Sequence, residues 1–311
     1  MPQSAEAILM IRPSGFGLNP ETTRDNEFQS TIEGNQPPSD RILQSFDSLV
    51  SVLRANEVRV EVWQEPPGSP FPDAVFPNNW LSTHENGAVC LYPLMPSSRR
   101  GECRAGVIEW IAEQGYQITE VVDFRKEVAG GEFLEGTGSL VLDRDSRLAF
   151  ASISERTNQS LVMKWCERFE YRPVVFHTLM HSSRLPVYHT NVLLSIGTTW
   201  AVVCPEVIAS ADERAMVMNA IEATGRVIIP ISLSQLKHFC GNVLELLNRK
   251  GERLLIISDR ALSALTIEQR ARIGHHARLI HADVPHFEEL GGGSVRCMMA
   301  ELFLPRVNFS D

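Results

Sequence analysis

No stretch of this sequence approaches the roughly 18 consecutive apolar residues that cross a bilayer, so a membrane-spanning helix is not expected. The apolar run Ala7, Ile8, Leu9, Met10, Ile11 is too short for a signal peptide, and no cleavage-like site follows it. That points to a cytoplasmic chain. An excess of basic charge is also missing. With 29 Lys and Arg against 38 Asp and Glu the net charge is -9, which argues against nucleic acid as a partner. Cysteines are few and scattered: Cys90, Cys103, Cys166, Cys204, Cys240 and Cys297, with no CxxC pair. Neither a disulfide framework nor a zinc finger fits that spacing. No Pro/Gly/Ser-rich linker divides the chain, and no literal repeat is visible.

What is present is an ordinary globular composition over 311 residues, with 43% hydrophobic and 22% charged. Short apolar runs alternate with helical periodicity along the whole length. Helices are expected over residues 40–55, 101–114, 155–169, 211–223 and 266–273, with Ser39 and Ser210 as N-caps of the first and fourth. Strands are expected, among others, over residues 58–63, 89–91, 117–122, 139–142, 148–153, 174–176, 191–195, 200–204, 226–230, 253–257, 277–281 and 296–303. The strand–strand–helix–strand rhythm recurs about every 50 to 65 residues, so four or five such units fit.

Four segments carry groups capable of chemistry. Gly291, Gly292 and Gly293 precede Cys297, which is expected at the start of a strand. A free thiol has a pKa of about 8.5 and becomes a nucleophile only beside an imidazole or a positive field. The alternative is a buried structural cysteine. Tyr188, His189, Thr190 and Asn191 head an apolar strand, which would aim His189 and Asn191 at one face. His189 is a candidate acid–base group or a structural histidine. Glu135, Gly136, Thr137 and Gly138 place a carboxylate among glycines, either to orient a histidine or as a solvated turn residue. Asp73, Phe76, Pro77, Asn78 and Asn79 combine hydrogen-bonding groups with a stiffening proline.

Taken together, and in this order, the segments resemble the guanidino-group-modifying enzymes of the pentein superfamily. These include arginine deiminases, dimethylarginine dimethylaminohydrolases, agmatine deiminases, glycine amidinotransferases and succinylarginine dihydrolases. The resemblance runs from Arg12 to Leu304 and also takes in Ser154, Glu155, Arg156 and Thr157. It implies an α/β fold, a five-bladed propeller of ββαβ units around a central pocket, with residues 1–311 forming one catalytic domain. It implies Cys297 as nucleophile, His189 as proton shuttle and Glu135 as the group that holds the imidazole or a substrate nitrogen. Asp73, Asn78, Asn79, Asn191 and Arg156 are the implied substrate-binding residues. No metal and no cofactor are implied, and homo-oligomers are possible.

The departures concern charge. Asn79 and Asn191 stand where arginine deiminases carry acids, and Gly138 replaces an aspartate. Amides suit a neutral ureido group, because they both donate and accept. The chain most closely resembles the citrulline-hydrolysing, amidinotransferase-like branch. The implied partner is a small ureido or guanidino amino acid. Amidino transfer, arginine deimination or dihydrolysis, and a non-catalytic binding module of the same fold are the alternatives.

Weaker candidates are Cys240 beside Gly241, the His281, Asp283, His286 set as a metal site, and Arg12 as a carboxylate anchor. His275 and His276 read as surface residues. Residues 16–29 form either a lid or an ordinary surface loop.

Overall fold

The computed structural model describes residues 2–30, 39–180 and 182–306. In chain order the strands are β1 (Ala7–Arg12), β2 (Arg59–Gln64), β3 (Leu81–Thr83), β4 (Ala88–Leu91), β5 (Glu120–Asp123), β6 (Val141–Asp143), β7 (Leu148–Ile153) and β8 (Arg172–His177). They continue as β9 (Leu194–Ile196), β10 (Trp200–Val203), β11 (Val227–Pro230), β12 (Leu244–Leu247), β13 (Arg253–Ser258), β14 (Arg278–Ala282) and β15 (Ala300–Glu301). They form five three-stranded sheets: β15-β1-β2, β3-β4-β5, β6-β7-β8, β9-β10-β11 and β12-β13-β14.

Each sheet repeats one plan. An antiparallel pair comes first, a helix crosses over, and the third strand joins parallel. A parallel neighbour needs such a crossover, whereas an antiparallel one needs only a short turn. In the first sheet the order is completed by the C-terminal strand β15, which pairs antiparallel with β1. The sheets are the blades of a five-bladed α/β propeller.

Helix Ser39–Ala55 shows how sequence builds a blade. Its buried face is Ile42, Phe46, Leu49, Val50 and Leu53, spaced for a 3.6-residue period. Burying these five side chains stabilises the chain by roughly 10 kcal/mol before conformational entropy is counted. Ser210 caps helix Ala211–Glu222 by accepting from the Glu213 N–H, as its position predicts. Each of the apolar clusters draws on more than one blade. One joins Leu81 and Val89 to Leu9 and Leu302, and another joins Phe150 and Val174 to Val202 and Leu255.

The expected elements differ from the structure where the blades turn inward. Strands were expected over residues 139–142, 191–195 and 296–303. Instead Gly136–Ser139 and Thr190–Leu193 are single helical turns, and residues 294–299 coil similarly before the short β15. Pro77–Asn79 makes the corresponding turn before β3, and residues 239–242 make it before β12. Apolar β-branched runs read as strand, yet their first residues coil because the backbone must deliver side chains toward the axis. Two helices also begin later than expected. The first starts at Ala105 and the second at Gln159, since residues 154–157 form an irregular turn and Asn158 takes the N-cap position.

Buried polar groups tie the blades at the axis. Gln3 Nε2 donates to the Leu142 and Ile196 carbonyls, and Gln3 Oε1 accepts from the Arg144 N–H. Glu245 accepts from Ser4 Oγ, Thr198 N, Thr198 Oγ1 and Trp200 Nε1 at 2.5 to 2.9 Å. No helix among the described residues is long and apolar enough to cross a membrane. Replacing Glu245 by Ala strands several buried donors, so Glu245→Ala is expected to lower unfolding free energy by about 3 kcal/mol. Urea unfolding checks this: the midpoint falls while the slope is unchanged.

Candidate active site

The five inner turns converge on one group of side chains. Glu135 precedes the turn Gly136–Ser139 and His189 precedes the turn Thr190–Leu193, so both point inward from equivalent places in neighbouring blades. His189 Nε2 lies 2.8 Å from Glu135 Oε2. The other carboxylate oxygen accepts the Met95 N–H at 2.9 Å. Two guanidinium groups flank the same carboxylate, Arg156 Nη1 at 3.6 Å and Arg99 Nη1 at 3.9 Å.

Burial alone would raise the Glu135 carboxyl, but Arg156, His189 and Arg99 outweigh it and bring it down to about 2. It is therefore ionised, which fixes the proton of neutral His189 on Nε2 and leaves the Nδ1 lone pair free. The imidazole is itself lowered, because burial and the two arginines outweigh the attraction of Glu135. Its basic Nδ1 faces a narrow cavity that Cys297 shares. Burial raises the Cys297 thiol, offset in part by Asn242 and Arg296. Burial thus disfavours the charged form of both the thiol and the imidazole.

The arginines are anchored by their own carboxylates. Arg99 makes a two-pronged contact with Glu102 at 3.0 and 2.9 Å and donates to Asn79 Oδ1 at 2.9 Å. Burial pushes Glu102 up to about 8 despite Arg99. Arg156 grips Asp25 through two 2.6 Å bonds. Its Nη1 makes no hydrogen bond among the described residues and faces the cavity. Asp73 is buried, with Oδ2 accepting from Asn19 Nδ2 at 2.7 Å, whereas Oδ1 has no partner among the described residues.

Residues 13–30 cover the cavity. Asn19 and Asp25 hold Asp73 and Arg156, Glu21 accepts from Ser97 and Ser98, and Asn26 and Gln29 donate to the carbonyls of residues 290–292. Gly138 and Gly293 give the site its close packing. A Cβ at Gly138 would stand 2.7 Å from Asn79 Nδ2 and 2.8 Å from His189 Nδ1. One at Gly293 would stand 3.3 Å from Cys297 Sγ.

Of the residues singled out in the sequence, Cys297, His189, Asp73, Asn79 and Arg156 line this cavity, and Glu135 backs the histidine. Asn78 does not line it. Its Oδ1 accepts from Asn79 Nδ2, so it props its neighbour. Asn191 does not line it either, because its backbone is helical rather than extended. The side chain lies behind the nucleophile, with Oδ1 3.9 Å from Sγ, beside a second cavity. Cys297 sits in a turn and not at a strand start.

Among the weaker candidates, Cys240 belongs to the core, contacts the Ala261 carbonyl and has its thiol pushed up by burial to about 12. Arg12 pairs with Asp47 on the surface, and His281 pairs with Asp259. Among the described residues no three His, Cys, Asp or Glu side chains group as a metal site. Arg99, Glu102, Asp25 and Asn242 were not legible as site residues. They sit in segments without a motif, and their partners come from other turns and loops.

The family described as N,N dimethylarginine dimethylhydrolase, eukaryotic, matches residues 12–304. No curated protein matches the sequence. Among solved structures, apo ArgZ is similar, an arginine dihydrolase from the ornithine-ammonia cycle in cyanobacteria. It has a TM-score of 0.74 and 16% identity over 97% of this chain. The chain spans 41% of that protein's length. The N-terminal domain of ArgZ bound to product gives a TM-score of 0.71 at 16% identity, covering 96% of this chain and 99% of that domain. A dimethylarginine dimethylaminohydrolase adduct with S-methyl-L-thiocitrulline gives 0.62 at 18% identity, covering 96% of this chain and 99% of the other.

Removing the Glu135 charge leaves two buried guanidinium groups short of a partner. Glu135→Ala is expected to cost about 3 kcal/mol near pH 7. A carboxyl held at about 2 in the folded protein and unshifted when unfolded contributes its stability above about pH 4.5 and loses it as pH falls through 2. Urea unfolding of both proteins from about pH 7 down to about pH 3 should show the deficit shrinking.

Proposed function

The chain belongs to the N,N dimethylarginine dimethylhydrolase family of the pentein superfamily, and from that premise we propose a cysteine-dependent hydrolase that cleaves a C–N bond of a ureido amino acid, citrulline giving ornithine, ammonia and carbon dioxide. The observation that carries the ureido reading is the surroundings of Sγ. Among the described residues, the side chains within hydrogen-bonding range of it are the amides of Asn242 and Asn191, and Asn79, another amide, stands beside His189 near Gly138. A neutral ureido group entering the cavity meets the Asn79 amide, with Asn242 and Asn191 behind the sulfur, whereas a guanidinium would enter beside two arginines that already line the cavity.

In this reading the zwitterionic end of the substrate is held by Arg156 and Asp73, two charged groups that line the cavity. Arg156 Nη1 takes the α-carboxylate and the free Asp73 Oδ1 takes the α-ammonium. His189 Nδ1 accepts the thiol proton as Sγ adds to the ureido carbon. The C–N bond to the terminal nitrogen breaks, and the proton leaves with ammonia. The Cys297 thiocarbamate remains. His189 then takes a proton from water as oxygen adds to the same carbon. The S–C bond breaks, the proton returns to sulfur, and the released carbamic acid divides into amine and carbon dioxide. Glu135 supports the imidazolium that forms in each half.

One observation favours a second reading. Asp73 Oδ1, a buried carboxylate oxygen with no hydrogen-bond partner among the described residues, also suits a guanidinium, and the family's name points to methylated arginines. Product analysis with citrulline, arginine, N-methylated arginines, agmatine and N-succinylarginine separates the two. Ornithine from citrulline at the highest kcat/KM supports the ureido reading. Faster turnover of arginine or a methylated arginine overturns it and leaves the cysteine chemistry standing. No product from any of them supports a binding module.

Two variants test the machinery with the preferred substrate. Cys297→Ala should abolish turnover without loss of fold. Gly138→Ala should displace His189 and Asn79, lowering kcat by about 100-fold, since a misplacement near 1 Å has that effect. Wild-type rates in either variant count against these assignments.

A further inference from the structure

Four of the five inner turns bring a side chain to the cavity or to the nucleophile: Asn79, the Glu135 and His189 pair, and Cys297 itself. The remaining turn, at residues 239–242, is the one whose sequence drew notice only for Cys240. It delivers Asn242. That side chain is 1% exposed, and its Nδ2 lies 3.3 Å from Cys297 Sγ and 3.0 Å from the Asn191 carbonyl oxygen. Its Oδ1 lies 3.6 Å from the same sulfur.

This placement is enforced from both sides. Ser195 Oγ lies 2.7 and 2.8 Å from the Gly241 and Val243 carbonyl oxygens and shares its one proton between them, clamping the turn onto the neighbouring blade. Gly241 packs so closely on the Val192 carbonyl that a Cβ there has no room. One amide proton of Asn242 is directed to the Asn191 carbonyl at 3.0 Å, and the other is within reach of Cys297 Sγ at 3.3 Å and of Asn191 Oδ1 at 3.4 Å.

We propose that Asn242 is a catalytic residue, whose carboxamide accepts from the Cys297 thiol through Oδ1 and donates to the thiolate through Nδ2. The proposal rests on the hydrolase reading above. In that reaction sulfur carries negative charge twice, when its proton passes to His189 before the S–C bond forms and when the S–C bond breaks. Asn242 is the one side chain among the described residues with an N–H donor at hydrogen-bond distance from it. The other groups facing the sulfur do less. Arg296, on the same turn, spends its nitrogens on the Met299 carbonyl and Glu301. Asn191 presents an oxygen. Tyr188 donates to the Gly292 carbonyl, and neutral His189 holds its proton toward Glu135. The lowering effect of Asn242 on the thiol is the largest of those opposing burial.

The test is the pH dependence of Cys297 alkylation by iodoacetamide, between about pH 6 and 11, located by peptide mass in the full-length protein. It needs no substrate. Asn242→Ala should move the midpoint up by about one pH unit, a tenfold loss of thiolate at a given pH. Asn242→Asp, nearly equal in shape and volume, should move it further up, because a carboxylate repels the thiolate; it also covers the case in which the alanine variant fails to fold. With the preferred substrate, kcat should fall while KM stays within about twofold. An unmoved midpoint in Asn242→Asp overturns the proposal and leaves the hydrolase reading intact. Alkylation of a different cysteine in the wild-type protein, with Cys297 spared, overturns both.

Discussion

The site depends on one buried carboxylate. Glu135 has no solvent contact, yet it stays ionised because three groups from three different segments supply compensation: Arg99, Arg156 and His189. An isolated carboxylate in such a place would protonate. The arrangement works in both directions. The arginines tolerate burial because Glu135, Glu102, Asp73 and Asp25 surround them, and His189 is oriented because its Nε2 proton meets the Glu135 carboxylate. Removing any member leaves its partners exposed to the full cost of burial.

That network also connects fold to access. Asp25 and Asn19 belong to the segment that covers the cavity, and they bind Arg156 and Asp73, which line it. The cover is thus held by charged and polar contacts with the site rather than by apolar packing alone. Beneath it, Gly138 and Gly293 let His189, Asn79 and Cys297 approach more closely than any side chain would permit. Blade packing supplies the rigidity, and the five inner turns supply the placement.

The order of the motifs made the propeller legible in the sequence, and the resemblance those motifs carry singled out Cys297, His189 and Glu135, which the structure places at or directly behind one cavity. Backbone at the inner mouths was not legible. Runs such as residues 191–195 are β-branched and apolar, and nothing local shows that axial convergence coils their first residues. Asn191 was therefore aimed at the substrate when its side chain lies behind the sulfur. Arg99 and Glu102 escaped because their importance comes from Asp73 and Glu135, remote in sequence. Asn242 escaped because it follows a cysteine that belongs to the core.

The central claim is that Cys297 sulfur bonds to the substrate carbon during turnover. Acid-quenched intact-mass spectrometry of the wild-type protein mixed with excess citrulline tests it most directly. Attack by sulfur gives a transient gain equal to citrulline less ammonia, mapped by peptide mass to Cys297 and absent from Cys297→Ala. Steady ornithine release with no adduct at any quench time, and with turnover retained by Cys297→Ala, would contradict it.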